Sequence, residues 1–295
     1  PVFPNRTGCH DEEPCRVPRH LESITLDAGP DFLPRMALSA RLSGWLLTLV
    51  ILVLFSVSGG LLWVLDYNYD GLLGAAYTKI HPVTYLTLLA FAVTVVLHRN
   101  PAAHLMRMMT ANPGALLFII ASVLLGLFIV LDGRRGIATV FDTYLTATLI
   151  ALMLLETGSA ERRRIELMMH VLMACNALLA LTELALDTRF FPFRFDGVAF
   201  ETDRRSAALL GHPLENAMAT ATYLVILING GGRHLAPVLR MPASLLQLAG
   251  LVAFGGRSAL TTSLLMLAIW GAIGLARLLR GGRFSYRSAM TFLFL

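Results

Sequence analysis

The apolar positions along this chain fall into long runs separated by short polar stretches. A helix that crosses the ~30 Å hydrocarbon core of a bilayer needs roughly 20 mostly apolar residues. Eight segments meet that description: residues 45–65, 82–98, 113–131, 136–155, 165–186, 213–230, 236–254 and 259–279. A ninth apolar run opens near residue 289. Backbone groups in lipid must bond within their own segment, so these runs predict helices. The ~10-residue alternation of a barrel strand is not seen. Pro82, Pro113 and Pro213 each stand at the start of a segment, where the missing N–H costs little. Pro237 and Pro242 crowd the start of the seventh. The expected fold class is all-α, a polytopic transmembrane helical bundle over residues 45–295. Residues 1–44 hold five Arg and six acids and read as a polar tail, because a signal peptide places its apolar run nearer the start.

Composition agrees. Of the 295 residues, 56% are hydrophobic and 15% charged, against about 25% charged in an average soluble domain. That excludes a disordered chain, a disulfide-rich module and an ordinary soluble enzyme. Three cysteines, Cys9, Cys15 and Cys175, are too few for a disulfide scaffold. Cys9, His10, Cys15 and His20 match no standard zinc spacing, so no metal and no cofactor are expected.

The net charge of +5 divides unevenly. With the N-terminus inside, sixteen Lys/Arg fall on the cytoplasmic side and eight outside, the bias of the positive-inside rule rather than a nucleic-acid footprint. Arg162–Arg164 and the basic cluster from Arg277 to Arg287 read as topology determinants and headgroup contacts. Half of the outer charges lie in one loop, residues 187–212. A loop that breaks the trend invites a functional explanation.

Ionisable groups inside membrane spans are costly and usually functional. Asp142, Glu183, Glu215, His212, Asn216 and Arg257 are all expected at the outer ends of their helices, so polar groups of separate helices converge on one face. The competing expectation is that each snorkels to the interface independently. His98, His104 and His170, and the Met-rich stretches at residues 106–109 and 168–173, are expected to pack or touch lipid. The run Phe190-Phe-Pro-Phe-Arg-Phe195 fits either a lip at the lipid interface or a loop packed on the bundle.

Two outer-face motifs belong together. One is Arg205-Ser-Ala-Ala-Leu-Leu-Gly211-His212-Pro213, running into a span; the other is Gly256-Arg257-Ser-Ala259, opening a later one. Over roughly residues 190–280 this resembles the O-antigen ligase and Wzy-type polymerase superfamily of bacterial envelope enzymes. That family has an Arg, then Gly-His/Asn-Pro-Asn at a helix entrance, then a Ser-Arg-Gly-like turn. Here Ala208 stands where the family often has Gly, Leu214-Glu215-Asn216 replaces an Asn directly after Pro213, and Gly256-Arg257-Ser258 replaces Ser-Arg-Gly. The form around His212 is more similar to exopolysaccharide-biosynthesis members. The family carries a further functional His and Arg in a later outer loop, which would follow residue 295, and the chain reads as an N-terminal fragment of eight spans and the start of a ninth.

The resemblance implies a GT-C-like fold in the bacterial inner membrane and an inverting, metal-independent glycosyltransferase facing the periplasm. Its donor would be a glycan on undecaprenyl diphosphate, its acceptor a sugar hydroxyl, its other partner membrane lipid. The catalytic candidates are Arg205, Arg257 and His212; Arg204, Arg194, Glu215 and Asn216 would bind substrate. Arginine suits a departing diphosphate because its guanidinium is permanently charged and forks onto phosphate oxygens. The dipole of the helix behind His212 would favour the same anion. Two other classes fit the same features: a transporter or flippase of lipid-linked sugars, and a non-catalytic membrane subunit of a polysaccharide assembly system.

Overall fold

The computed structural model of the chain describes residues 32–69, 76–132, 136–195, 198–200 and 203–280, and nearly all of them are helical. In order come α1 (Phe32–Ser56), α2 (Gly59–Val64), a 3₁₀ turn (Ala76–Lys79), α3 (Pro82–Val96), α4 (Pro101–Ala111) and α5 (Pro113–Leu131). A single turn at Ile137–Thr139 then leads through a π segment (Val140–Leu145) into α6 (Thr146–Glu156). The long α7 (Ser159–Leu186) is followed by a small hairpin, β1 (Arg194–Phe195) against β2 (Val198–Ala199), antiparallel with Arg194 opposite Ala199. Last come α8 (Pro213–Ile226), a π turn (Leu227–Gly231), α9 (Pro237–Phe254) and α10 (Arg257–Leu279).

All eight apolar segments fold as helix, but they divide into two kinds. Four helices are long and apolar enough to cross a membrane: α5, α7, α9 and α10 as far as Ala276. The other four segments are short or broken, each for a local reason. The first stops at Ser56; Ser58 then caps α2, its Oγ accepting from Leu61 N at 3.2 Å. The second, α3, turns through 113° into α4 after Val96, and Asn100 caps α4 by accepting from Ala103 N at 3.0 Å. The fourth carries the π segment with Asp142, and the sixth ends in a π turn where Gly230 takes φ +103°. Together these helices give the chain the build of a helical membrane protein.

Prolines open α3, α4, α5, α8 and α9, as their fixed φ favours. Two features were not legible in the hydropathy. Helix α1 begins at Phe32, inside the stretch read as polar tail. The loop after the second segment is itself the helix α4. Residues 1–31, with Cys9, His10, Cys15 and His20, and the apolar run from 289 lie outside the described residues.

Two packing centres hold the bundle. Leu47, Val50, Val83, Ala90, Ile150 and Met153 join α1, α3 and α6. Ala180, Ala217, Leu224, Leu251, Phe254 and Leu267 join α7, α8, α9 and α10. Small residues allow close approach in the second: a Cβ on Gly250 would lie 3.2 Å from that of Ala177, so α7 and α9 meet nearly backbone to backbone. Without a hydrophobic drive between helices in lipid, such van der Waals contact is the main cohesive force. By contrast α5 buries only 6% of its apolar window, leaving Leu117, Phe118, Val123 and Leu124 outward, a lipid-facing pattern.

Arg164, one of the basic cluster, lies over the Trp45 ring at 4.0 Å, so it ties α7 to α1 as well as carrying charge. His98 and His104 stack at 3.5 Å across the α3–α4 bend, and His170 Nδ1 lies 2.6 Å from the Tyr223 hydroxyl, both in packing roles.

Candidate functional site

The site is built where the loop after α7 folds back over the bundle end. Glu183, one turn before the end of α7, is only 2% exposed. Its carboxylate accepts from three backbone amides of the loop: Ala207 N at 2.8 Å, Ala208 N at 3.0 Å and Phe190 N at 3.1 Å. Asn176 accepts from Leu209 N at 3.0 Å, and Ser206 Oγ donates to Ala180 O at 2.8 Å. A buried carboxylate survives in such a place because backbone donors replace its water.

This seating forces unusual backbone. Ala208 sits at φ +41° and Gly211 at φ +73°. Only glycine takes such angles without cost, so Ala208 holds a strained conformation. Gly211 has a second reason to lack a side chain: a Cβ there would come 2.7 Å from Ser58 Cβ. The loop therefore packs into the break between α1 and α2. Gly60 completes the contact, since its own Cβ would lie 2.6 Å from Pro192 O.

Arg205 projects from this loop. Its Nε donates to both oxygens of Asp203 at 3.0 Å, its Nη2 donates to Asp203 Oδ2, and its own N–H donates to Asp203 Oδ1 at 2.9 Å. Arg189 flanks the pair, its Nη2 3.7 Å from Asp203, while donating from Nε to Arg205 O at 3.0 Å and from Nη1 to Phe200 O at 2.7 Å. The hydrogen bonds from Arg205 hold the Asp203 carboxyl below its ordinary 3.8, against the opposing effect of burial. The stem of Arg205 covers Gly255, at φ +62°, where any Cβ would come 2.8 Å from Cδ. Gly256 packs against Ala217 of α8, and Arg257 follows as the exposed first residue of α10. The two motifs paired in the sequence thus meet through Arg205 and the Gly255-Gly256 turn.

His212 caps α8. Its Nδ1 accepts from Leu214 N at 3.2 Å, which assigns the proton of the neutral ring to Nε2. Burial, then the nearby Arg205 charge, pushes its pKa down, so it is neutral at neutral pH. The ring packs edge-on to Phe193, centroids 4.7 Å apart. Phe193 is buried, so this part of the aromatic run packs on the bundle; Phe190 stays exposed. Asn216 is fully buried, and its Nδ2 donates to Ala207 O and to His212 O. Expected to bind substrate, it instead locks the loop to α8.

Two cavities open here. The first, about 580 Å³, is lined by Trp63, Asp187, Arg189, Arg194, Asp203 and Arg204 among others. The second, about 490 Å³, is lined by Ser58, His81, Asp142, Arg194, His212 and Glu215 among others. Arg194 lines both and lies over the Trp63 ring at 4.2 Å. Asp142 accepts from His81 N at 3.1 Å, Thr84 Oγ1 at 2.6 Å and Tyr69 Oη at 3.0 Å.

The expected convergence is therefore observed: Asp142, Glu183, Glu215, His212, Asn216 and Arg257 share one end of the bundle, and all seven predicted site residues lie there. Asp203, Arg189, Trp63 and His81 were not foreseen. Asp203 left a signal as the acid two residues before Arg205, and Arg189 as one of the four basic residues of the 187–212 loop. No family model matches this chain, and no curated protein or solved structure is significantly similar to it.

Proposed function

We propose that the chain is a membrane glycosyltransferase of the O-antigen ligase and polymerase type. In this reading it moves a glycan from undecaprenyl diphosphate to a sugar hydroxyl on the periplasmic face of a bacterial inner membrane. Its eight segments would each cross or enter the bilayer in a GT-C-like arrangement. The observation that carries the reading is the gathering of arginines at one bundle end: Arg189, Arg194 and Arg204 line the first cavity, Arg205 belongs to the same loop anchored on a buried carboxylate and covers Gly255, and Arg257 opens α10 two residues after Gly255.

The reaction needs a place for the charge that develops on the departing diphosphate. Arg205 spends Nε and Nη2 on Asp203 among the described residues, which leaves its Nη1 edge for phosphate oxygens. Asp203 keeps that guanidinium fixed and balances its charge while the site is empty. Arg204 lies in the same loop and lines the first cavity, and Arg257 opens α10 next to Gly256; both are exposed. The Nε2–H of His212 is a neutral donor beside them. Each charge-assisted bond contributes about 1.5–3 kcal/mol, and a donor placed on developing charge lowers a barrier by roughly 2.7–4 kcal/mol.

In cells carrying the full-length protein, Arg257→Ala or Arg205→Ala should abolish polymer or ligated glycan. Arg257 is exposed and holds nothing in place among the described residues, so its variant should accumulate and melt like wild type. Wild-type product from both variants would overturn the reading.

A second reading, a carrier for lipid-linked sugar diphosphates, draws on the break at Val57–Ser58 and the 113° bend after Val96, since interrupted helices recur in transporters. Reconstitution with lipid-linked oligosaccharide separates the cases. Glycosidic bond formation supports the transferase, vectorial movement without it supports the carrier, and neither supports a non-catalytic subunit.

A further inference from the structure

We propose that the bend between α3 and α4 is a proton-sensitive hinge, held shut by the His98–His104 stack and released when His104 takes a second proton. The inference stands apart from the transferase reading, because it concerns the other end of α3.

Placement comes first. Helix α3 starts beside His81, in the wall of the second cavity. It runs 15 residues, about 22 Å of helix, before the chain turns through 113° into α4. His98 stands two residues past α3, and His104 is the fourth residue of α4. Their rings stack across the bend with centroids 3.5 Å apart and planes 9° from parallel. His104 is only 4% exposed. The bend is backed by an apolar cluster of Val95, Met108 and Leu152, which joins α3, α4 and α6.

The partners then fix the protons. A carbonyl only accepts, so His98 Nδ1, 2.8 Å from Thr94 O, carries a proton. A guanidinium only donates, so His104 Nδ1, 2.9 Å from Arg107 Nη2, is bare, and the neutral ring keeps its proton on Nε2. The same Arg107 Nη2 lies 3.6 Å from Glu156 Oε2 at the end of α6. Among the described residues, the charges acting on His104 are therefore His98 beyond α3, Arg107 on α4 and Glu156 on α6. Arg99 is exposed, and α5, which follows α4, carries no ionisable residue.

A second proton on His104 must go to Nδ1. There it meets the Arg107 N–H, donor against donor, and turns a buried ring into a cation beside a guanidinium. Arg107 can turn to Glu156, but His104 gains water only by leaving the stack. Because His104 belongs to α4, that movement opens the bend and uncovers Met108, which is 1% exposed when the bend is shut. The shut form thus refuses a proton that the open form accepts. Its advantage is complete above the ordinary histidine value of about 6.5 and shrinks as pH falls below it. With one proton taken only by the open form, the ratio of open to shut rises about 30-fold between pH 8 and pH 5.

The test uses the full-length protein in nanodiscs, with its cysteines replaced by serine and Met108→Cys as the reporter. Its maleimide labelling rate is divided at each pH by that of Thr110→Cys, which is exposed on the same helix and corrects for thiolate content. That quotient should rise about tenfold or more from pH 8 to pH 5. In His104→Asn, whose side-chain oxygen takes the place of Nδ1 but binds no proton, it should stay within about twofold. A rise of less than about threefold with His104 in place, or an equal rise in His104→Asn, would overturn the hinge. Arg107→Met removes the opposing donor and should cut the acid response to about a third or less; a full response would overturn the role of Arg107. Nitrogen-15 NMR of labelled histidine reads the proton directly, without the reporter cysteine. At pH 8 the ring signals lost in His104→Asn should be those of an imidazole protonated at Nε2 alone. A proton on Nδ1 at that pH would overturn the assignment.

Discussion

Replacing Glu183 by Gln tests the loop seat directly. The carboxylate is 2% exposed and receives three amides, Ala207 and Ala208 on Oε2 and Phe190 on Oε1. An amide can present only one oxygen. If that oxygen replaces Oε2, the bonds to Ala207 and Ala208 persist but lose their charge assistance. The new NH2 then faces the Phe190 N–H, donor against donor. One orphaned buried donor costs about 1–3 kcal/mol, and two weakened bonds cost about 1 kcal/mol each. Relief of the desolvation of a buried charge offsets part of this, leaving an expected loss of about 2–4 kcal/mol. One kcal/mol moves Tm by roughly 2–4 °C for domains of 150–250 residues. In detergent or nanodiscs, followed by intrinsic fluorescence, Glu183→Gln should therefore melt about 4–16 °C below wild type. Limited trypsin digestion adds a local readout: cleavage at Arg204 or Arg205 should accelerate. A Tm within about 1 °C of wild type, with unchanged cleavage, would refute the claim that this carboxylate holds the loop.

Other substitutions probe the same loop with different signs. Ala208→Gly should raise stability by about 0.5–1 kcal/mol, because φ +41° costs alanine more than glycine; a lower Tm would count against strain at that position. Gly211→Ala should destabilise by about 2 kcal/mol or more, since it meets both a φ of +73° and Ser58; thermal melting reads it. The Asp203 carboxyl titrates below its ordinary 3.8 in the folded chain. Its contribution is therefore complete above that value and is lost as pH falls through the lower folded one. Melting from pH 7 to pH 3 should show this loss in wild type and a smaller one in Asp203→Asn.

Much of the architecture was visible in hydropathy, because an apolar run near membrane length has few alternatives to a helix. Prolines at residues 82, 113 and 213 marked the starts they were expected to mark. Helix integrity was less legible. The first and fourth segments look uniform in hydropathy, yet one breaks at Ser58 and the other passes through a π segment at Asp142. Both interruptions are stabilised by contacts from elsewhere: Gly211 and Pro192 against the first, the His81 amide and Thr84 against the second.

The sequence by itself determined that the chain is helical, which runs are apolar, and which polar residues sit near helix ends. Counting along alternating runs was enough to put Asp142, Glu183, His212 and Arg257 on one side. Tertiary structure decided what each of them does. Asn216 turned inward because Ala207 O and His212 O lie within its reach. Glu183 became an anchor because three amides turn toward it, and Arg205 acquired Asp203 as its fixed partner. Depth along a helix follows from counting residues. Which donor meets which acceptor depends on how the loop folds back, and that is set by the α1–α2 break far away in the sequence.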